Sequence, residues 1–390
     1  MKTKNLLIIT SEFPPLPGGI GRHAYQLAKY LNLNGYEVRV VADQRTWDLN
    51  EEQEFDAQLP FEVMRVPLHK VRGLMYVKRL QLLLKSIGWA DMVLASGKFS
   101  LWSVALGINV VKRPALAVVH GTEVNFKNKI LRGTVQMSLG QMAHIIAVSK
   151  FTRGLLPENL QQRTTVVPNG IEADWVKEDL KSVERLEGIP KLITVGHVSE
   201  RKGQLNVIRI LPRLLQNYPE LHYHCVGLPT DWKAFQKEAE VLGVGDHVSF
   251  HGRVSDEALK GLLKESDVFV MLSMGTHSGD VEGFGIAILE ANVFGVPAIG
   301  SKDCGIADAI VPGYTGELVP LGDSEAMLQA LQTILKDYPN YSKAAKTWAL
   351  EHDWEAIVMR YIAVIEKELY NEKWAVKREV NGLRDRYNGK

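Results

Sequence analysis

Lys191-Leu192-Ile193-Thr194-Val195-Gly196-His197-Val198-Ser199-Glu200-Arg201-Lys202-Gly203 starts as a short aliphatic run, breaks at a glycine and enters a charged turn. A helical period follows. An apolar run too short for a helix, then a glycine turn, then an amphipathic segment, is the repeating unit of a parallel sheet with helical crossovers. The same rhythm continues downstream at His222–Val226, 247–250, Val268–Met271, 297–299 and Gly316–Val319. Upstream, a first series runs through 6–10, 37–42, Glu62–Val66, 92–95, 116–120, 144–148 and 164–167, with helical patterns at 21–32 and 75–86 between strands. Near-continuous apolar strands are those buried on both faces. Two doubly wound α/β halves are therefore expected, with ligands at the C-terminal ends of the strands in a cleft they face.

Length agrees with two cores: 390 residues exceed what one comfortably fills. The expected divisions are an N-terminal Rossmann-like domain over 1–171, an acid-rich linker over 172–190, a second such domain over 191–353, and a C-terminal helix with tail over 354–390. Trp354–Leu369 places Ile357, Val358, Tyr361, Ile362 and Ile365 on one face. A formal charge of +1 gives no global attraction to nucleic acid or anionic lipid. Cys225 and Cys304, outside any CxxC, read as reduced thiols of a cytoplasmic protein. The apolar run after Lys2 and Lys4 is too short for a signal peptide, and no stretch has the length of a membrane span.

Four motifs sit where ligands would. Pro17-Gly18-Gly19-Ile20-Gly21-Arg22-His23-Ala24 follows a strand and opens a helix, so its amides can approach an anion. Gly19-x-Gly21-x-x-Ala24 with Asp43 also imitates a dinucleotide fingerprint, although residues 11–18 separate it from its strand; a ligand-free structural turn is a further reading. His120 ends the strand before Gly121-Thr122-Glu123. Arg201 and Lys202 place two cations at a helix start, which the helix dipole disfavours unless an anion joins them; a solvated basic turn is the plain alternative. Finally, Glu282-Gly283-Phe284-Gly285-Ile286 leads into a helix carrying Glu290 among apolar neighbours. Its glycines allow a phosphate close to backbone, and Glu290 suits paired ribose hydroxyls. A capping acid with a buried salt bridge would use the same residues.

In this order, with Val148-Ser149-Lys150, Pro168-Asn169-Gly170-Ile171, His251-Gly252-Arg253-Val254 and Trp354, these motifs resemble the retaining GT-B glycosyltransferases of glycosyltransferase family 4. The resemblance covers nearly the whole chain and implies a C-terminal helix that crosses back to the N-terminal domain. It implies that Arg201 and Lys202, beside Gly196, bind the donor diphosphate and stabilise it as it leaves. Gly19 would supply an amide near the distal phosphate, and Gly18 beside it would also be donor-binding. Glu290 would hold the ribose, and Arg253 and Val254 would border the base. Glu282, with the amides of Phe284 and Gly285, would hold the sugar, Gly283 and Ile286 would also belong to the donor-binding set, and His120 would lie against the sugar.

It further implies transfer of a hexose from a nucleotide diphosphate sugar, a UDP-sugar in preference to GDP-mannose, to a glycan or lipid-linked acceptor in cell-surface polysaccharide or glycoconjugate synthesis. No metal or other cofactor is expected, and no Asp-x-Asp pair is present. The family's usual arginine after the glycine of the basic turn is His197 here, and its Asn-Gly-(Ile/Val)-Asp ends in Glu172. Competing readings are a nucleotide-sugar 2-epimerase of the same architecture and a non-catalytic nucleotide-sugar-binding subunit. Lys70, Arg72, Lys78, Arg79 and Lys85, interleaved with leucines, form a basic amphipathic stretch; with tail residues Lys373, Trp374, Lys377, Arg378, Arg384 and Arg386 it suggests peripheral contact with the inner face of an anionic membrane. A core-packed helix with a solvated cationic face explains the stretch equally well.

Overall fold

The computed structural model describes residues 3–172 and 185–371. Most of the linker and the basic tail therefore lie outside the described residues, as does the side chain of Arg72. The chain divides into two compact units. One comprises Met1–Val148, Thr152–Val167 and Trp354–Lys390; the other comprises Ser149–Phe151 and Pro168–Asp353.

The first unit holds a seven-stranded sheet of β1 (Asn5–Thr10), β2 (Glu37–Asp43), β3 (Glu62–Val66), β4 (Met92–Ser96), β5 (Ala115–Val119), β6 (His144–Ala147) and β7 (Thr164–Val166). All neighbours are parallel, in the order β3-β2-β1-β4-β5-β6-β7. Every residue of β4 and β5 is buried, as expected for central strands covered on both faces. Leu7, Ile9, Val93, Ala95, Ala117 and Val119 share a core with Leu83, Leu101 and Leu139 from the crossover helices.

The second unit repeats the plan with β8 (Lys191–Val195), β9 (His222–Val226), β10 (Val248–Gly252), β11 (Val268–Met271), β12 (Ala298–Ser301) and β13 (Gly316–Val319). Their order is β10-β9-β8-β11-β12-β13, again all parallel. Both sheets reverse their winding once, between β1 and β4 and between β8 and β11. Loops leave in opposite directions at such a point and open a crevice beyond the strand ends.

The helix Trp354–Leu369 belongs to the first unit, where it packs on the helix Gly19–Leu33. Ile357, Val358, Tyr361 and Ile365 are buried as expected from the pattern. Ile362 is only half-buried, and Val364 and Leu369 join the buried face instead.

The basic stretch is corrected in part. Leu83 of the helix Arg72–Ile87 belongs to the core, and Leu80 and Leu82, half-buried, pack against it. Arg79, expected on the cationic face, is buried and paired with Asp43, donating from Nε at 3.0 Å. Desolvation costs an isolated guanidinium too much, and the Asp43 carboxylate offsets it. Asp43 is thereby committed to Arg79 rather than free for a ribose. Lys70, Lys78 and Lys85 remain exposed, beside exposed Leu74 and Val77.

Candidate functional site

In the second unit, the expected donor residues gather at the reversal between β8 and β11. The turn after β8 carries Arg201 and Lys202; the loop after β11 carries Glu282. These three side chains meet: Glu282 pairs with Arg201 and with Lys202, the latter at 2.9 Å. Burial alone would raise the Glu282 pKa, but the two cations overrule it and hold the carboxyl below its ordinary range. A cluster with two positive charges and one negative keeps a surplus positive charge.

Backbone bonds lock the two loops together. The Arg201 carbonyl accepts from Ser273 Oγ and from the Met274 amide at 3.2 Å. The Glu282 carbonyl accepts from the Gly305 amide at 2.9 Å. Gly203 closes the basic turn at φ +81°, where a Cβ would lie 2.0 Å from the Leu272 carbonyl oxygen. Glycine is needed there for both conformation and space. Gly285 caps the helix Ile286–Val293 at φ +89°, and the acid at its fifth residue, Glu290, is buried. Phe284 is buried, whereas Ile286 is half-buried.

The remaining donor candidates line the same rim. The Gly196 amide donates to the Val226 carbonyl at 2.8 Å, and the Gly227 amide to the Gly252 carbonyl at 2.8 Å. The ends of β8, β9 and β10 are thus stitched side by side, and Arg253 and Val254 continue from the last of them, Arg253 exposed. His197 has its pKa lowered by burial and by Lys202 and Arg201, so it is a neutral neighbour of the basic turn at pH 7.

In the first unit, Gly18 and Gly19 open the helix after β1, and a Cβ on Gly19 would meet none of the described residues within 4 Å. His120 follows β5, with Nε2 3.0 Å from Ser96 Oγ at the end of β4. Its backbone amide donates to Glu123. Desolvation lowers its pKa to about 4, which keeps the imidazole neutral at physiological pH. Ser96, Ser273 and the pairing of Glu282 with both cations were not read from sequence. Ser96 left one usable signal, a polar residue closing an apolar strand directly before a glycine. Among the described residues no group of three His, Cys, Asp or Glu is placed to hold a metal ion.

Comparison with known proteins gives a consistent picture. A family model described as Glycosyltransferase Family 4 matches residues 17–175, and one described as Glycosyl transferases group 1 matches 176–349. A GDP-mannose-dependent alpha-(1-6)-phosphatidylinositol monomannoside mannosyltransferase of Mycolicibacterium smegmatis is 28% identical over 90% of this chain and 94% of its own length. A phosphatidyl-myo-inositol mannosyltransferase of Mycobacterium leprae is 26% identical over 90% of this chain and 93% of its own. Among solved structures, the Anabaena protein HepE in complex with UDP and glucose superimposes with a TM-score of 0.73 at 18% identity, covering 93% of this chain and 100% of its own.

Proposed function

The chain belongs to glycosyltransferase family 4, has the GT-B fold and uses a nucleotide sugar, and from that premise we propose a donor, an acceptor class and a mechanism. The donor is GDP-mannose rather than the UDP-sugar favoured from sequence. Support comes from relatives similar over nine-tenths of the chain, one of them named as GDP-mannose-dependent. The likeness to the UDP-bound HepE, at 18% identity, speaks for the fold alone. The acceptor is a lipid-linked polyol or glycan, as the names of the relatives suggest, met at the cytoplasmic face of a membrane.

The observation that carries the mechanism is the meeting of Arg201, Lys202 and Glu282 at the β8/β11 reversal. Glycosyl transfer builds cationic character on the sugar and negative charge on the departing phosphate. Fixed cations aimed at that phosphate stabilise the change without a metal ion. Arg201 and Lys202 take this role, with Glu282 holding them in place and accepting from sugar hydroxyls. The amides at Phe284–Ile286 and the buried Glu290 bind phosphate and ribose. His120, neutral and held by Ser96, lies against the sugar. The acceptor hydroxyl attacks the face from which phosphate leaves, its proton passing to that phosphate, so the configuration is retained.

The test is a panel of GDP-, UDP- and ADP-sugars with a phosphoinositide-type acceptor, in EDTA, scored by released nucleotide and by the anomeric configuration of the product. GDP-mannose with an α-linked product is expected. An inverted product, dependence on added metal, or turnover confined to UDP-sugars would each remove that part of the proposal.

A further inference from the structure

His23 is the fifth residue of the helix Gly19–Leu33, it is 2% exposed, and none of the roles above uses it. Its ring stands edge-on to His120, with centroids 4.9 Å apart and planes at 80°. On other sides it meets Trp354, 5.2 Å away, and Tyr361, whose hydroxyl lies 2.9 Å from His23 Nε2. Both aromatic residues come from the helix Trp354–Leu369, and Trp354 stacks in turn on Tyr30. The C-terminal helix thus reaches His120 through one intervening ring.

The polar character of that ring needs a reason. Among the described residues, His23 Nδ1 is buried without a hydrogen-bond partner. Either tautomer satisfies the Tyr361 bond and leaves the second nitrogen unpaired. A leucine or phenylalanine would fill the volume without that desolvation cost. Burial keeps both His23 and His120 below the ordinary histidine range, so two neutral rings meet without charge repulsion. Among the described residues, the hydrogen bonds of His120 act on one ring nitrogen, through Ser96, and on its backbone, through Glu123. Neither fixes the tilt of the imidazole plane.

We propose that His23 is a positioning residue for His120: the Tyr361 hydroxyl sets the His23 ring, and that ring sets the plane His120 presents to the donor sugar. This rests on the reading of His120 given above. A small misorientation of a group at the reacting centre lowers turnover more than it lowers binding.

The experiment uses the full chain labelled with 15N-histidine and the variants His23→Phe, His23→Gln, Tyr361→Phe and His120→Ala. His23→Phe keeps volume and removes both nitrogens; His23→Gln keeps a polar group near the Nε2 position. In His23→Phe and Tyr361→Phe, kcat is expected to fall about ten- to a hundredfold, with KM for donor within about twofold and the melting temperature lower by a few degrees, because each variant leaves one buried polar group without its partner. The His120 imidazole resonances, assigned from their loss in His120→Ala, should shift in both variants. His23→Gln should recover most of the turnover. Unchanged His120 resonances in His23→Phe overturn the proposal, as does a loss of kcat that tracks loss of stability with Gln no better than Phe. Should His120→Ala itself leave transfer intact, the sugar-side role of His120 is what fails; the resonances still decide whether His23 positions it.

Discussion

Lys202 and Arg201 share one carboxylate, and this sharing shapes what each can be asked to do. A buried ion pair is costly to break from one side because the remaining charge is left without compensation. Glu282 has two cations, so removing one still leaves it paired. Lys202→Ala is therefore expected to spare the fold while removing half of the charge aimed at the leaving phosphate. We expect kcat/KM to fall about 10²- to 10³-fold, the range seen when one preorganised donor is removed, with a melting temperature within a few degrees of wild type. A loss below threefold would remove Lys202 from the mechanism. Glu123 supplies a second residue-scale test. Burial raises its pKa to about 7, against the opposing pull of the His120 and Glu123 amides. An unfolded chain with an ordinary carboxyl releases its proton below the pH at which the native state does. Stability therefore falls as pH rises from about 4.5 to about 7 and levels off above that, a change of roughly 3 kcal/mol from this group. Urea midpoints for Glu123→Gln should lack that slope; a wild-type slope in the variant would show that another group causes it.

At the scale of elements, the turn Gly196–Gly203 links a strand to a helix and presses on its neighbour. A methyl group at 203 would meet the Leu272 carbonyl oxygen in a backbone conformation that L-residues avoid. Gly203→Ala is thus expected to cost about 2–4 kcal/mol, read as a lower urea midpoint, and to move Arg201 and Lys202 off Glu282. Equal stability would mean that the β8 turn is free to slide. The elements themselves were largely legible. Every apolar run read as a strand is one, because burial on both faces writes itself into consecutive residues. The boundaries moved by a residue or two, as at His120, which follows β5 rather than ending it. What sequence could not give are pairings between distant positions. Asp43 with Arg79, Ser96 with His120, and Glu282 with the basic turn are contacts made by packing, and no local spacing encodes them. The glycines behaved likewise: 203 and 285 are fixed by their neighbours, whereas a Cβ at 19 would meet none of the described residues within 4 Å.

For the whole molecule, a net charge of +1 means that any pull towards an anionic surface must come from a local patch. No helix among the described residues is long and apolar enough to cross a membrane. The helix Arg72–Ile87 nevertheless exposes Leu74 and Val77 beside Lys78 and Lys85. Its neighbour Lys98–Val110 exposes Leu106 and Val110, and the next helix, Lys129–Gly140, exposes Ile130 and Met137 with Lys129 and Arg132. Apolar side chains that enter the interface, ringed by lysines that meet lipid phosphates, are the two signals a reversible surface contact needs. The chain is therefore expected to sediment with vesicles containing anionic lipid at low salt, and to stay in solution with neutral vesicles. Screening shortens the reach of these charges to about 8 Å at physiological ionic strength, so binding should weaken steadily as salt rises. The variant Leu74→Ser/Val77→Ser keeps every charge and removes the insertion. Its binding should fall at all salt concentrations, which separates apolar insertion from charge attraction alone. If the variant sediments as well as the wild type, apolar insertion by this helix is not part of the contact, and attraction must rest on its lysines or on another surface.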